Sequence, residues 1–521
     1  MKISYLSLLL ACFSLTMGIA QSADKTLAMQ AEEKLKLENY EDALDDYLSL
    51  LSADSKNETY NYNVGVCYLN TNINKAKAVT YLEIVTRQEK HNPNADFLLG
   101  RAYQYANKFD EAIASFNKFK ELAKGTTDNL GMVEQEIQHC INAKELIKFP
   151  VDVMFQSLGK TINSEFSDYY PFVTENEGYM VFNSKRPVKK NASKLDNGQY
   201  LNSIFISKVV NGAFMEAGVI GEPICAGNSG EEVIGMSGSG DVLLVYKADN
   251  KGVGKIYMTK LAKDGFFSKL ELLPEPINGE GDEIAASISP EGDEIYFASN
   301  RKGGYGGTDI YVCRKLPTGK WSAPKNLGVG VNTPLNEDFP NLSPDGKTLF
   351  FSSKGHASMG GYDIFKASWD ESQKRFINPR NLGYPINTSY DDMNFRVSKS
   401  GKYGYLASVR GGGLGDNDIY RVSFNDTDVD YTVLIGQLTS KDNSVINYRD
   451  VFITVNDLIT SEAVGNYVPN PANGRCIIIL PPGKYNLNVE APGFKNAIIP
   501  IEIYDKSSYQ SQKNLIIELK K

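Results

Sequence analysis

The middle of the chain repeats one sequence pattern three times. Each copy has a polar turn, an apolar run that ends in small residues, a Gly-rich loop and an Asp-Ile-aromatic triplet, in segments 289–314, 343–366 and 398–421. The aspartates of the triplets are Asp309, Asp363 and Asp418, so the period is 54 residues (363 minus 309) and then 55 (418 minus 363). A period of roughly 40 to 55 residues made of short strands and turns is typical of β-propeller blades, not of stacked helix pairs.

Two weaker copies precede these three, at 174–208 and 237–260. They keep the strand-turn-strand spacing but have Ser203 and Lys255 where the others have aspartate. A connecting hexapeptide recurs as LGKTIN, IGEPIC, LPEPIN, LGVGVN and LGYPIN, beginning at positions 158, 220, 273, 327 and 382. The first connector precedes the first copy. We therefore predict five blades, with a strand near 151–157 that completes the last blade and closes the ring.

These repeats resemble the TolB-type propeller repeats of bacterial periplasmic proteins. The resemblance covers about half of the chain and implies a five-bladed β-propeller over residues 150–425. Because a propeller fold supports many unrelated functions, the resemblance implies no activity by itself.

The segment before the propeller has apolar residues at intervals of three and four, which predicts helices from 21 to 149. Its small and aromatic residues stand at the positions that tetratricopeptide repeats use for helix packing. The segment therefore resembles a short tetratricopeptide array of three repeats and a terminal helix at 130–147, which implies a groove that binds a peptide or a partner protein. The residues that carry the resemblance are Leu99, Gly100, Tyr103, Ala112 and Phe116, then Gly65, Tyr68 and Ala78, then Ala31, Ala43 and Tyr47.

The last part of the chain, 431–521, alternates short apolar runs with turns, which predicts a small all-β domain. The run GRCIIILPPGKYNLNVEAPGF at 474–494 resembles the carboxypeptidase-regulatory-like domain, a non-catalytic β-sandwich. A polar hinge, Asn425 to Asp430, separates it from the propeller. The predicted fold class is therefore multidomain: an all-α tetratricopeptide array, a five-bladed β-propeller and a small β-sandwich.

The first 20 residues have the pattern of a cleavable signal peptide: Lys2, then an apolar run, then a small residue at Ala20. We expect secretion to the periplasm, with the mature protein either soluble or peripheral to the outer membrane, and no transmembrane segment in the mature chain. Cys12 follows bulky Leu10, a poor lipidation signal, so lipidation is left open. The net charge of −8 argues against a nucleic-acid partner, because no basic excess is available to neutralise phosphates.

A carboxylate stands six residues before the Ser or Thr of each inner turn, where the innermost strand of a blade begins. We predict that these five ring one mouth of the channel, with Arg301, Lys354 and Arg410 on adjacent loops. The ring binds a cation, an amine or a partner loop, or else each carboxylate accepts backbone N–H groups from a neighbouring blade's loop. Asp309, Asp363 and Asp418 are predicted to brace the Gly-rich loops. The five ring residues are Asp168, Glu231, Glu283, Glu337 and Asp392.

No catalytic or metal-binding motif is present in the sequence. The three histidines fall in different repeats, and there is no zinc motif, P-loop, nucleophile elbow or dinucleotide fingerprint. We therefore expect no cofactor, no metal and no catalytic residue, and we interpret the chain as an interaction protein and not an enzyme.

The domain order resembles the PorE-type periplasmic proteins of Bacteroidota, which are associated with the type IX secretion and gliding apparatus. Members of that family end in an OmpA-like domain that binds peptidoglycan. This sequence stops at Lys521 without that domain, so peptidoglycan contact is not expected. The resemblance implies a scaffold that docks to an outer-membrane or secretion complex through its helical groove and propeller face. The alternative is a small-ligand or glycan-binding module with its site at the propeller mouth.

Overall fold

The structure, a computed structural model, describes residues 24–123, 130–249, 251–424, 432–458, 460–481, 483–503 and 512–521. The predicted signal peptide, Cys12 and the predicted hinge from Asn425 to Asp430 lie outside these ranges. Within them, no helix combines the length and the apolar character that a membrane span requires.

Among the described residues, seven α-helices form the N-terminal region: α1 (24–36), α2 (Tyr40–Ala53), α3 (Glu58–Asn70), α4 (Ala78–Thr86), α5 (Asn94–Tyr105), α6 (Phe109–Ala123) and α7 (Leu130–Lys148). The side chain of Asn57 caps α3 by accepting a hydrogen bond from Tyr60 N at 3.1 Å. Gly100 packs so closely on α6 that an added Cβ would lie 2.6 Å from the Phe116 ring. The small residues of the predicted repeats therefore allow neighbouring helices to approach closely.

Blades 1 and 2 follow, each a sheet whose innermost strand comes first in the chain. The strands of blade 1 are β2 (Asp168–Val173), β3 (Tyr179–Ser184), β4 (Ser203–Val210), β5 (Ala213–Phe214) and β6 (Gly218–Val219). The strands of blade 2 are β7 (Glu232–Met236), β8 (Val242–Ala248), β9 (Gly254–Lys260) and β10 (Glu271–Leu272).

Blades 3 to 5 repeat the same antiparallel order. Blade 3 contains β11 (Glu283–Ile288), β12 (Glu294–Ser299), β13 (Asp309–Arg314) and β14 (Lys325–Asn326). Blade 4 contains β15 (Glu337–Leu342), β16 (Thr348–Ser353), β17 (Asp363–Asp370) and β18 (Arg375–Asn381). Blade 5 contains β19 (Met393–Val397), β20 (Tyr403–Ser408) and β21 (Asp418–Phe424).

The outer strand of blade 5 comes from the start of the propeller. Strand β1 (Val153–Ser157) pairs antiparallel with β21, with Phe155 opposite Val422. The innermost strands contact one another in the cyclic order β2, β7, β11, β15, β19 and back to β2. The predicted closing strand is confirmed, and the ring has five blades.

The Gly-rich loops pack against the next blade. A Cβ on Gly306 would collide with Leu335 O, and one on Gly360 would lie 2.6 Å from Ser389 Cα. A Cβ on Gly415 of blade 5 would lie 2.5 Å from Phe166 O, next to blade 1. Real Cβ atoms do not tolerate such contacts, so these glycines exist because neighbouring blades meet there.

Two sheets form the C-terminal region and share one hydrophobic core that includes Leu434, Ile453 and Leu487. The three-stranded sheet contains β25 (Arg475–Leu480), β22 (Thr432–Ser440) and β28 (Gln512–Leu519). The four-stranded sheet contains β24 (Ala463–Tyr467), β23 (Phe452–Asp457), β26 (Gly483–Glu490) and β27 (Ala497–Ile503). The predicted all-β pattern is present among the described residues of this region.

Candidate functional site at the mouth of the propeller

The five predicted ring carboxylates occupy equivalent positions at the start of the innermost strands, and all five are buried. Glu231 is 6 % exposed and the other four are fully buried. Their burial favours the alternative in which the carboxylates accept hydrogen bonds within the fold over the alternative of a ligand-binding ring.

Four of the five carboxylates accept a backbone hydrogen bond from the turn that leads into their own blade. The backbone N–H four residues earlier donates to the carboxylate in four blades; for example, Thr333 N donates to Glu337 Oε2 at 2.7 Å and Thr388 N donates to Asp392 Oδ2 at 2.6 Å. The second alternative expected backbone donors from a neighbouring blade's loop, whereas in these four blades the backbone donor belongs to the turn that enters the carboxylate's own blade. A turn of four residues brings its first N–H within reach of the carboxylate. Glu283 also accepts a hydrogen bond from a neighbouring blade, from Lys255 Nζ of blade 2 at 3.2 Å.

Most of the predicted basic residues pair with these carboxylates. Arg301 Nη2 lies 3.0 Å from Glu283 Oε1, and Arg410 Nη2 lies 3.8 Å from Asp392 Oδ1. Lys354 does not join the ring, because its Nζ lies over the Tyr362 ring, 4.7 Å from the centroid. Burial raises the pKa of Glu337 to about 7, whereas that of Asp392 is raised by burial to about 6 against the opposing effect of Arg410.

The aspartates of the triplets brace the Gly-rich loops, as predicted. Asp309 accepts hydrogen bonds from Tyr305 N at 2.5 Å and Gly306 N at 3.1 Å. Asp363 accepts from Met359 N at 3.0 Å, and Asp418 accepts from a backbone N–H of its own loop. Their role is to hold the loop that meets the next blade.

The asparagine that ends four of the five connectors is a structural residue that the sequence analysis did not single out. Asn387 Nδ2 donates to Ile364 O at 2.9 Å, and Ile364 N donates to Asn387 Oδ1 at 2.7 Å. The same pair of bonds joins Asn332 to Ile310, Asn278 to Ile256 and Asn163 to Ile419. The sequence does contain a signal for this role, because asparagine recurs at the last position of the connectors LGKTIN, LPEPIN, LGVGVN and LGYPIN.

The helical array lies across the mouth where the innermost strands begin. Ser389 Oγ donates to Asn107 Oδ1 at 3.4 Å, in the turn after α5. Helix α7 adds two bonds to a blade 4 loop: Gln135 Nε2 donates to Lys354 O at 3.2 Å and Asn142 Nδ2 donates to Ser358 O at 2.8 Å. The propeller's Met359 is buried in the same hydrophobic cluster as helices α5 to α7. The array therefore covers this mouth.

A cavity of about 370 Å³ remains between the array and the mouth. Its lining is mostly polar and includes three carboxylates, from Glu232, Asp391 and Asp416, and one lysine, Lys185. The Lys185 Nζ donates to Gln199 Oε1 at 2.5 Å. The remaining lining residues are Asn72, Ser167, Tyr169, Tyr170, Met393, Ala407 and Asn417.

One side of the cavity is formed by a half-buried tyrosine and glutamate pair. Tyr169 Oη donates to Glu232 Oε1 at 3.0 Å. Burial raises the pKa of Glu232, and burial together with the Glu232 charge raises the pKa of Tyr169 well above its ordinary value. A hydrogen-bonded carboxyl beside aromatic rings suits the amine of a cationic ligand or the hydroxyl groups of a sugar.

The array contributes a lysine near the cavity. Lys75 Nζ donates to Leu69 O at 2.6 Å and lies 5.4 Å from the centroid of the Tyr105 ring. Burial, followed by the neighbouring Arg101, lowers the pKa of Lys75 to about 8, and the negative charges of Asp391 and Asp416 oppose this shift. Carboxylates of the propeller thus act electrostatically on a lysine of the array.

Below the cavity the channel is filled by side chains. The rings of Tyr170 and Phe339 lie 4.3 Å apart, and Met393 packs on the same cluster. Deeper in the channel, the buried Arg396 donates to Met236 O at 2.9 Å. Arg396 occurs in one blade only, so the repeat pattern did not reveal it.

Fold and site together define a closed five-bladed propeller with a helical array across one mouth. Within the described ranges, no three His, Cys, Asp or Glu side chains are grouped so that they could hold a metal ion. No protein-family model matches the chain, and no curated protein matches it.

Among solved structures, the chain is similar to TolB-type propeller proteins. TolB from Acinetobacter baumannii is 17% identical with a TM-score of 0.33, over 50% of this chain and 56% of that one, so the chain spans little more than half of that protein's length. A putative TolB from Agrobacterium tumefaciens is 14% identical (TM-score 0.30; 64% of this chain, 98% of that one). The periplasmic gluconolactonase from Pseudomonas aeruginosa is 12% identical (TM-score 0.27; 62% and 88%). Likenesses this distant carry no weight for the function.

Proposed function

We propose that the protein is a non-enzymatic periplasmic scaffold that associates with an outer-membrane complex, such as the type IX secretion and gliding apparatus. The observation that carries this proposal is the docking of the array on the propeller. Side chains of α7 and of the turn after α5 bind backbone and side-chain groups of blades 4 and 5. Two domains of the interaction type are therefore held in one orientation, as a scaffold requires.

The roles of the charged residues support the same proposal. The ring carboxylates hold the turns of their own blades, and Arg301 and Arg410 pair with them. The three histidines contact backbone carbonyls or carboxylates. These side chains all bond to other groups of the fold. This favours a protein that binds partners over one that catalyses a reaction.

In-cell crosslinking of a tagged copy, followed by mass spectrometry, tests the scaffold. Outer-membrane secretion or gliding components should co-purify, with crosslinks on exposed lysines of the array. The double variant Tyr105→Ala with Tyr390→Ala, which removes a ring contact between array and propeller, should lose those components. The matched control is Tyr305→Ala, at a half-exposed tyrosine of a blade loop. Recovery of the protein alone would contradict the proposal.

The cavity at the mouth favours a second candidate, a binding module for a small amine or sugar. A thermal-shift screen with sugars, peptides and divalent cations tests it. A true ligand should raise the melting temperature, and Glu232→Gln with Asp391→Asn should abolish the increase. Glu283 and Glu337 are unsuitable for this test, because both are fully buried and hold their own blades. If no compound raises the melting temperature, this second candidate is wrong.

A further inference from the structure

The outer face of the three-stranded C-terminal sheet is apolar. Residues of this sheet alternate between the core and the outside, and Leu434, Ile478 and Ile517 belong to the core. A sheet face in contact with water normally carries polar side chains. The outward residues here instead include five apolar β-branched side chains: Val433 and Ile435 of β22, Ile477 and Ile479 of β25, and Ile516 of β28.

These five side chains form one continuous patch. Ile477 pairs with Ile435, and Ile479 pairs with Val433, across the two strands. Ile516 stands on the other side of β22, two residues beyond the level of Ile435. Cβ atoms of directly paired residues lie about 4.5–5.5 Å apart, so their side chains touch. Ile477 is 62% exposed, Ile479 49% and Ile516 73%, and a continuous apolar patch on the surface marks an interaction site.

The four-stranded sheet of the same domain provides an internal comparison. Its two central strands, β23 and β26, point Thr454, Asn456, Asn486 and Asn488 outward. Ile498 of the edge strand β27 is 67% exposed, but its cross-strand neighbour is Asn488, so it is an apolar residue in a polar setting. The continuous patch is therefore a property of one sheet and not of the domain as a whole.

Two opposite charges stand at one end of the patch. Arg475 of β25 and Glu518 of β28 flank the second half of β22 on opposite sides. Both side chains are exposed and point outward with the isoleucines. The ion pair of this domain, Lys484 with Glu502, lies on the other sheet. The apolar face therefore presents a positive and a negative charge to the surface that covers it.

A second copy of the same sheet complements this arrangement of charges. When two identical sheets pack face to face about a two-fold axis along β22, β25 of one chain lies over β28 of the other. Levels along the strands are kept, so Arg475 of each chain faces Glu518 of the other, and isoleucines face isoleucines. An axis across the strands would place β25 over β25, whose sequence RCIIIL holds no carboxylate for Arg475.

We propose that this face is the interface of a homodimer, in which two copies of the sheet pack face to face about a two-fold axis along β22. Packed sheets lie about 10 Å apart, which lets the isoleucines interdigitate. A face of three short strands is smaller than the roughly 800 Å² per partner of a standard interface, so the dimer has a dissociation constant in the micromolar range.

The dimer displays two arrays and two propellers on one assembly. A partner with repeated sites then binds the second copy at a high effective concentration, which increases the overall affinity without any new contact. This consequence rests on the proposed function, whereas the dimer itself does not.

Sedimentation velocity of the purified full chain, over a range of concentrations, tests the dimer. The unaltered chain should pass from monomer to dimer at micromolar concentration. Ile477→Asp places a carboxylate inside the patch and should raise the dissociation constant at least about tenfold. The matched control, Ile498→Asp, changes a similarly exposed isoleucine of the other sheet and should leave it unchanged. A monomer at every concentration, or a dimer that Ile477→Asp does not weaken, would overturn the proposal.

A charge swap tests the orientation without a change in the apolar patch. Arg475→Glu and Glu518→Arg each place like charges opposite one another, so each should raise the dissociation constant about three- to tenfold at low salt. The double variant restores opposite charges and should return to within about twofold of the unaltered chain. Both residues are exposed, so these substitutions leave the core intact. A double variant as weak as either single variant would refute the two-fold arrangement.

The same position distinguishes other occupants of the patch. If the chain's own propeller covered it, the protein would stay monomeric, and Ile477→Cys would resist a maleimide that labels Ile498→Cys. If a lipid surface covered it, the monomer would sediment with vesicles of phosphatidylethanolamine and phosphatidylglycerol, and Ile477→Asp would abolish that binding. Either result would overturn the proposal.

Discussion

Tyr105, at the end of α5, and Tyr390, just before the innermost strand of blade 5, lie with ring centroids 4.8 Å apart and planes tilted by 51°. This ring pair joins the array to the propeller beside the bond from Ser389 to Asn107. Aromatic pairs of this geometry contribute about 0.5–1.5 kcal/mol beyond the area they bury. The orientation of the array thus depends on a few specific side chains.

Removing the ring pair should weaken the docking of the array while both domains remain folded. We expect Tyr105→Ala and Tyr390→Ala to show a coupling free energy of about 0.5–1.5 kcal/mol in a double-mutant cycle on the docking equilibrium. The measurement is the docked fraction from single-molecule energy transfer between dyes at Lys56→Cys in the array and Lys320→Cys in blade 3, both exposed positions. Tyr305→Ala should leave that fraction unchanged. Strictly additive effects of the two substitutions would show that the rings do not interact.

Asn387→Ala should destabilise the propeller more than the same substitution at Asn72, a half-buried asparagine of the cavity lining. The substitution leaves Ile364 N and O, both buried in the blade, without their side-chain partner. We expect a loss of about 2–4 kcal/mol in the free energy of unfolding, measured by urea titration. Asn72→Ala, at the cavity, should change it by less than about 0.5 kcal/mol. Equal effects of the two substitutions would mean that the connector bonds contribute nothing.

Gly306→Ala should disrupt the contact between blades 3 and 4. The new methyl group would collide with Leu335 O, a backbone atom that cannot rotate away. We expect a fall of at least about 2 kcal/mol in the free energy of unfolding. Gly411 lies in the corresponding loop of blade 5, and a Cβ there meets no atom within 4 Å. Gly411→Ala is therefore the control, and a tolerated Gly306→Ala would disprove the close approach.

The buried Glu337 should make stability fall with rising pH. Its folded pKa is about 7, raised by burial from an ordinary 4.5, so the folded state binds the proton more tightly than the unfolded state. The contribution is present below about pH 4.5 and is lost as the pH rises towards 7, at up to about 1.4 kcal/mol per pH unit. Glu337→Gln should flatten this part of the curve of unfolding free energy against pH, even if it lowers the whole curve. An identical slope in the variant would contradict the assignment.

The repeat in the sequence predicted the blades and their closure, because every blade needs the same turn, strand and loop chemistry. It also placed the five carboxylates at the start of the innermost strands, but it did not predict whether they are exposed. Their position in the strand does not reveal that backbone groups such as Thr333 N and Thr388 N donate hydrogen bonds to them. The docking of the array on the propeller could not be predicted from the sequence. It depends on Gln135, Asn142 and Ser389, which belong to no repeated pattern and meet only in the folded chain.

The short strand β24 shows a second limit of prediction from the sequence, namely that local strand preference can be too weak to detect. Its sequence, AVGNY from Ala463 to Tyr467, contains a glycine and an asparagine, which weaken the strand signal. It forms because Ile453 of β23 pairs with Tyr467 across the sheet. Pairing with a strand already in place outweighed the local preference.

The most direct test of the account is whether the array covers the predicted mouth. A short bismaleimide should link Asn107→Cys to Asp391→Cys, two exposed positions on the facing surfaces of array and mouth, in the purified full chain. It should not link Asn107→Cys to Ser400→Cys, which lies in an inner turn at the opposite mouth. Linkage to Asp391→Cys alone is the predicted result. Equal linkage of both pairs, or linkage to Ser400→Cys alone, would contradict the docked arrangement on which the proposed scaffold rests.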